Sequence, residues 1–105
     1  MKDNWKHILA FVLGAFLLVA VQSKAAQEDY LDEGKKLYDL RCVGCHGKGA
    51  EKLAGKPMQY LADRMQAIKE MEDPLFENVR RMRDALAPLT DEQIKNIALY
   101  LHSLK

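Results

Sequence analysis

Beyond residue 26 the sequence has no run of alternating β-branched and polar residues, no internal repeat, no low-complexity tract and no linker-like stretch. The missing alternation removes the strand signal, and with it the βαβ surroundings that many redox and nucleotide sites require. The other absences leave room for one small domain in 105 residues. Charge of one sign is lacking as well, with 16 Lys and Arg against 15 Asp and Glu and a formal net charge of +1. Without a basic excess, nothing points to nucleic acid or an anionic membrane surface as a partner. Cysteine is scarce. The two present, Cys42 and Cys45, permit one disulfide at most, and so short a loop gains little from chain entropy.

A hydrophobic run long enough to span a bilayer comfortably is also missing. The apolar stretch from Ile8 to Val21 falls short of the ~20 residues a transmembrane helix needs. Lys2 and Lys6 precede it, and Gln22-Ser23-Lys24-Ala25-Ala26 follows. Positive start, apolar middle and small-residue end make a secretory signal peptide over 1–25, cut after Ala25. An uncleaved membrane anchor is the alternative, and both readings export the remainder. The single tryptophan, Trp5, belongs to this leader, and the domain proper occupies 26–105.

What is present there is helical, in four pieces. The first covers about 28–40, with Asp29, Asp32 and Glu33 early and Lys35, Lys36 and Arg41 late, as the helix dipole favours. Tyr30, Leu31, Gly34, Leu37 and Tyr38 share one of its faces. The second begins at Pro57, a suitable first-turn residue, and runs through Leu61, Met65 and Ile68 to about 69. A third follows the pair Asp73-Pro74 and reaches about 84. The fourth opens on Thr90-Asp91-Glu92-Gln93, a capping box, and lines up Ile94, Ile97, Ala98, Leu101 and Leu104 on one stripe. The fold class is all-α, with terminal helices that pack on each other.

Between the first two pieces stands Cys42-Val43-Gly44-Cys45-His46-Gly47-Lys48-Gly49, whose glycines favour turns. Cys-x-x-Cys-His is the pattern of c-type haem attachment. Two thiols at this spacing reach the two vinyl groups of one porphyrin, and the next residue, His46, supplies an axial nitrogen to the iron. A covalent tether keeps the cofactor in a domain too small to enclose it. The haem in turn supplies apolar surface to a core that so short a chain builds thinly. A redox dithiol needs a βαβ setting, and a structural zinc site needs four ligands where this segment offers Cys42, Cys45, His46 and a distant His102. Candidates for the sixth ligand are Met58, Met65, Met71, Met82 and His102. Met65 shares a face with Leu61 and Ile68, a packing position. Met58 lies in the first turn of the second helix, close to the attachment loop. His102 falls about 110° from the centre of its helix's apolar stripe, and so reads as a rim histidine. Met71 and Met82 both lie far enough downstream to approach from the opposite side.

The chain resembles the class I c-type cytochromes, and among them the small bacterial periplasmic monohaem proteins. The resemblance rests on Gly34 and Tyr38 ahead of CVGCHG at 42–47, LAGK at 53–56, YL at 60–61 and MRDALAPLTDEQIKNIALYLHSL at 82–104. It implies a small cytochrome c fold of about four helices around one covalent haem c. It also implies Cys42 and Cys45 as thioether sites, His46 as one axial ligand, and Met82 rather than Met71 as the other. Gly34 would let the first helix close on the last near Tyr100. Two features depart from the family pattern. No proline follows the attachment motif until Pro57, and Arg80, Arg81 and Arg83 surround Met82. These arginines either form a solvated face answering Glu77 and Asp84, or ring the haem edge and steer an acidic redox partner.

The resemblance further implies a periplasmic single-electron carrier between donor and acceptor proteins, not an enzyme. Such a carrier meets the membrane only through its leader or through membrane-bound partners. One alternative is a haem-bearing subunit of a larger periplasmic oxidoreductase complex, and another is a haem sensor with a labile sixth ligand. The helix that runs almost to Lys105 favours the free monomer.

Overall fold

The computed structural model describes residues 26–104, so the proposed leader over 1–25 lies outside the described residues. Five helices and no strand make up this part: α1 over 26–41, α2 Val43–His46, α3 Met58–Lys69, α4 Glu77–Leu86 and α5 Asp91–Ser103. The all-α expectation holds, and the attachment motif, read as turns, carries a helical turn of its own. α2 nearly continues α1, because the Cys42 N–H donates to the Tyr38 carbonyl at 2.8 Å and the His46 N–H to the Cys42 carbonyl at 2.9 Å. Cys42 itself departs from helical geometry at φ −116°.

α3 packs on both α4 and α5. Its buried Leu61, Ala62 and Met65 meet Ile94, Ile97, Ala98 and Leu101 of α5 in one core, joined by Leu86, Leu89 and Tyr38. Burial of such an aliphatic side chain contributes about 1.5–3 kcal/mol. The Lys69 ammonium, in the last turn of α3, donates to the Leu89 carbonyl at 2.5 Å, which ties that helix end to the start of α5.

α1 crosses α5 at Gly34. A Cβ there would overlap the Asn96 carbonyl oxygen, stand 2.6 Å from the carbonyl carbon and meet the Tyr100 Cβ at 3.0 Å. Only a glycine lets the two backbones come so close. One turn later the Tyr38 and Tyr100 rings lie 5.7 Å apart, tilted by 47°, within the favourable range for aromatic pairs. Asn96, the buried polar side chain of the core, donates to the Glu33 carboxylate at 3.0 Å across the same crossing.

The capping box of α5 forms as expected: the Gln93 N–H donates to the Thr90 hydroxyl at 3.1 Å and the Thr90 N–H to the Gln93 side chain at 2.9 Å. Thr90→Ala removes one of those acceptors. It should cost about 1 kcal/mol, read in a thermal melt as a Tm fall of roughly 4–8 °C.

The third helix starts later than the Asp73-Pro74 pair implied, at Glu77, with Phe76 as an N-cap in extended conformation. The reason is long-range. Arg80 donates to the Pro74 carbonyl at 3.1 Å and Arg83 to the Glu72 carbonyl at 2.9 Å, so the preceding loop's carbonyls are held by guanidinium groups.

Candidate functional site

α1 delivers the motif. Its last turn places Cys42 half-buried against the core, while Cys45 and His46 project from α2 and are exposed. Both thiols are free. Burial pushes the Cys42 thiol up to about 11, against a small lowering from Arg41. A dithiol oxidoreductase depends on the opposite, a thiolate stabilised below the ordinary range. The Cys42 thiol thus lacks the lowered value that a dithiol exchange site uses. Among the described residues, no group of three or more His, Cys, Asp or Glu converges as a metal cluster.

Beyond α2 the chain bends sharply. Gly47 ends the turn at φ 79°, a left-handed value that suits glycine, and Ala50 takes φ 47° while its side chain is buried. A non-glycine residue held there is strained, and such strain tends to gather at binding sites. The bend encloses an open cavity of about 560 Å³ whose lining includes Cys45, His46, Ala50, Lys52 and Leu53. Cys42 is not among its lining residues. The far end of the loop is fixed to α5, where the Gly55 N–H donates to the Leu101 carbonyl at 2.9 Å and His102 Nδ1 meets the Lys56 carbonyl at 2.8 Å. His102 is thus an exposed rim residue with a bond to the loop.

The two remaining methionine candidates separate clearly. Met71 is 42 % exposed in the turn after α3, whereas Met82 is half-buried on α4 and packs against the core, as Cys42 does. Neither methionine lines the cavity beside His46. Met65 is a core residue, as its spacing implied, and Met58 packs at the core edge.

The arginines around Met82 are engaged within the chain. Arg80 and Arg81 pair with Glu77 at 3.7 and 3.5 Å. Arg83 bonds Asp84 at 3.2 Å as well as the Glu72 carbonyl. These are the pairs the solvated-face reading expects, while the Arg81 side chain remains 74 % exposed. Two groups had no part in the sequence reading: the Tyr38 hydroxyl and the strained Ala50. For Tyr38 a signal existed, since a tyrosine on a buried helix face implies a partner for its hydroxyl.

A single-turn helix presenting Cys-x-x-Cys-His beside an open cavity, within a small all-helical domain, defines a haem-attaching protein. A family model described as Cytochrome c matches residues 31–105, and the chain belongs to that family. Cytochrome c-551 of Bacillus subtilis (strain 168) is 33% identical over 69 residues, an alignment covering 56% of this chain and 62% of that relative. The chain thus spans less than two thirds of the length of the curated relative it matches. No solved structure matches. Membership gives the chain its cofactor, a covalently bound c-type haem, and the family is one of haem-based electron carriers. The site agrees: two free thiols at the required spacing, an exposed imidazole beside them and an adjoining cavity.

Proposed function

We propose that this chain is a periplasmic single-electron carrier with one haem c, attached through Cys42 and Cys45 and ligated by His46 and Met82. The observation that carries the reading is the placement of Cys45 and His46 beside the cavity by α2, which follows directly on α1, the helix packed against α5 at Gly34. Cys42 and Cys45 would hold the group by thioether bonds, each thiol adding across a porphyrin vinyl group with sulfur on one carbon and the proton on the other, so that attachment would need neither oxidant nor leaving group. His46 supplies a nitrogen and Met82 a thioether sulfur. The group would supply one-electron redox chemistry; with His46 and Met82 both on the iron no position would remain for a substrate, and the methionine would raise the reduction potential. The packed helices keep the ligands in place through the change of oxidation state.

The proposed partners are a donor and an acceptor protein, which meet a monomer by diffusion. No helix among the described residues is long and apolar enough to cross a membrane. The periplasmic location rests on the leader pattern over 1–25. Charge reversal at Arg81, whose side chain is 74 % exposed beside Glu77, separates the two readings of the cluster: unchanged electron-transfer rates and salt dependence fit the solvated face, and slower, less salt-sensitive rates fit a docking patch.

The test is direct. Full-length chain expressed in a host competent in haem attachment should yield a mature protein that starts at Ala26, carries the mass of one haem and shows Soret absorbance. Bare-polypeptide mass without a Soret band would overturn the attachment reading. A Soret band in protein retaining residues 1–25 would replace the free carrier with an anchored one.

A further inference from the structure

Nothing yet described holds the His46 ring. The side chain is exposed, and among the described residues no hydrogen bond reaches its imidazole. Its orientation must come from the backbone on either side. On the N-terminal side the bond from Cys42 N–H to the Tyr38 carbonyl continues α1 into the motif. On the C-terminal side stands Gly47, whose left-handed conformation turns the chain away immediately after His46. The Gly47 carbonyl accepts the Tyr38 hydroxyl at 2.6 Å and the Ala50 N–H at 3.3 Å.

Tyr38 is fully buried, and its ring is fixed by Tyr100 one turn beyond the Gly34 crossing. A phenylalanine would fill the same space, so packing alone does not call for the hydroxyl. Burial raises the Tyr38 phenol above its ordinary value, which keeps it a protonated donor. A buried hydroxyl is tolerated only when bonded, and this one is bonded to the residue next to His46.

We propose that Tyr38 is a positioning residue for the axial ligand: its hydroxyl, anchored in the α1–α5 contact, holds the Gly47 carbonyl and so fixes the backbone from which His46 meets the iron. The inference rests on the haem reading and goes beyond it, because it connects the packing of the terminal helices to the geometry of the metal ligand.

The experiment compares the purified holoprotein with Tyr38→Phe and Thr90→Ala, the second variant weakening the fold away from the motif. Low-spin ferric EPR g values and paramagnetically shifted haem-methyl resonances report the orientation of an axial imidazole, which general loss of stability does not move. Tyr38→Phe should shift the largest g value and change the methyl spread. Thr90→Ala should lower Tm and leave both signals in place. If Tyr38→Phe lowers Tm yet keeps wild-type g values and methyl shifts, the hydroxyl is merely structural and the proposal fails. A wild type without Soret absorbance would overturn the haem reading, and this proposal with it.

Discussion

Gly34→Ala will unfold the domain far more readily than its size suggests, lowering Tm by more than about 10 °C. Alanine is the better helix former by about 1 kcal/mol, so intrinsic propensity predicts a gain. The structure predicts a large loss. The new Cβ falls on the Asn96 carbonyl, a backbone group that cannot swing aside, and on the Cβ of Tyr100. α1 and α5 must separate, at an overpacking cost of about 1–3 kcal/mol or more. Separation also breaks the bond from Asn96 to Glu33 and loosens the stacking of Tyr38 on Tyr100. A buried amide left unpaired costs roughly 1–3 kcal/mol in addition. The net loss is about 3 kcal/mol, set against a total stability of ~5–15 kcal/mol for domains of this kind. Gly44→Ala is the control: its Cβ would meet nothing within 4 Å, and the change should stay within about 1 kcal/mol. Thermal or urea melts of the two variants decide the matter, and equal melting points would show that the crossing at Gly34 is not close.

The elements that could be read from the sequence are those whose determinants are local. The start of α5 is specified by Thr90 and Gln93 alone, three residues apart, and it forms as read. Met65 and Ile68 follow Leu61 at helical steps, and the structure puts Leu61 and Met65 in the core with Ile68 against it. The start of α4 could not be read in this way. Asp73-Pro74 has the form of a helix start, yet the loop carbonyls there belong to Arg80 and Arg83, six to eleven residues ahead. The same guanidinium groups, read in the sequence as a solvated face or a docking patch, are in the structure also part of what holds the turn. Nor does any periodicity disclose that Tyr38 reaches the Gly47 carbonyl, because that bond depends on how α1 bends into α2 at Cys42. For the site, attachment was legible because two thiols and an imidazole are contiguous. For the sixth ligand no local rule joins any methionine to the motif, and the choice of Met82 over Met71 rests on the family resemblance alone.

Met82→Ala and Met71→Ala should therefore part company in the oxidised spectrum. Met82 lies half-buried on α4 and packs against the core that also receives Cys42, while Met71 is 42 % exposed in the turn after α3. A thioether already turned to the core is better placed to meet a haem packed there than one at the surface, which would need its turn to move first. The Met71 carbonyl is 3.5 Å from Arg83 and that of the adjacent Glu72 2.9 Å, which ties that turn down. Met82→Ala should abolish the near-infrared sulfur-to-iron charge-transfer band and open the iron to carbon monoxide in the reduced protein. It should also lower the reduction potential, since a thioether favours the ferrous state. Truncation of a half-buried methionine costs stability too, less than the ~2–5 kcal/mol of a fully buried one. Met71→Ala should keep the band, the closed site and the potential. Loss of the band in Met71→Ala alone would move the ligand to the turn after α3 and require that turn to fold inward around the haem. Retention of the band in both would move the ligand to Met58 or Met65. A wild type without the band would leave an iron without a methionine ligand, and the sensor reading would then replace that of the electron carrier.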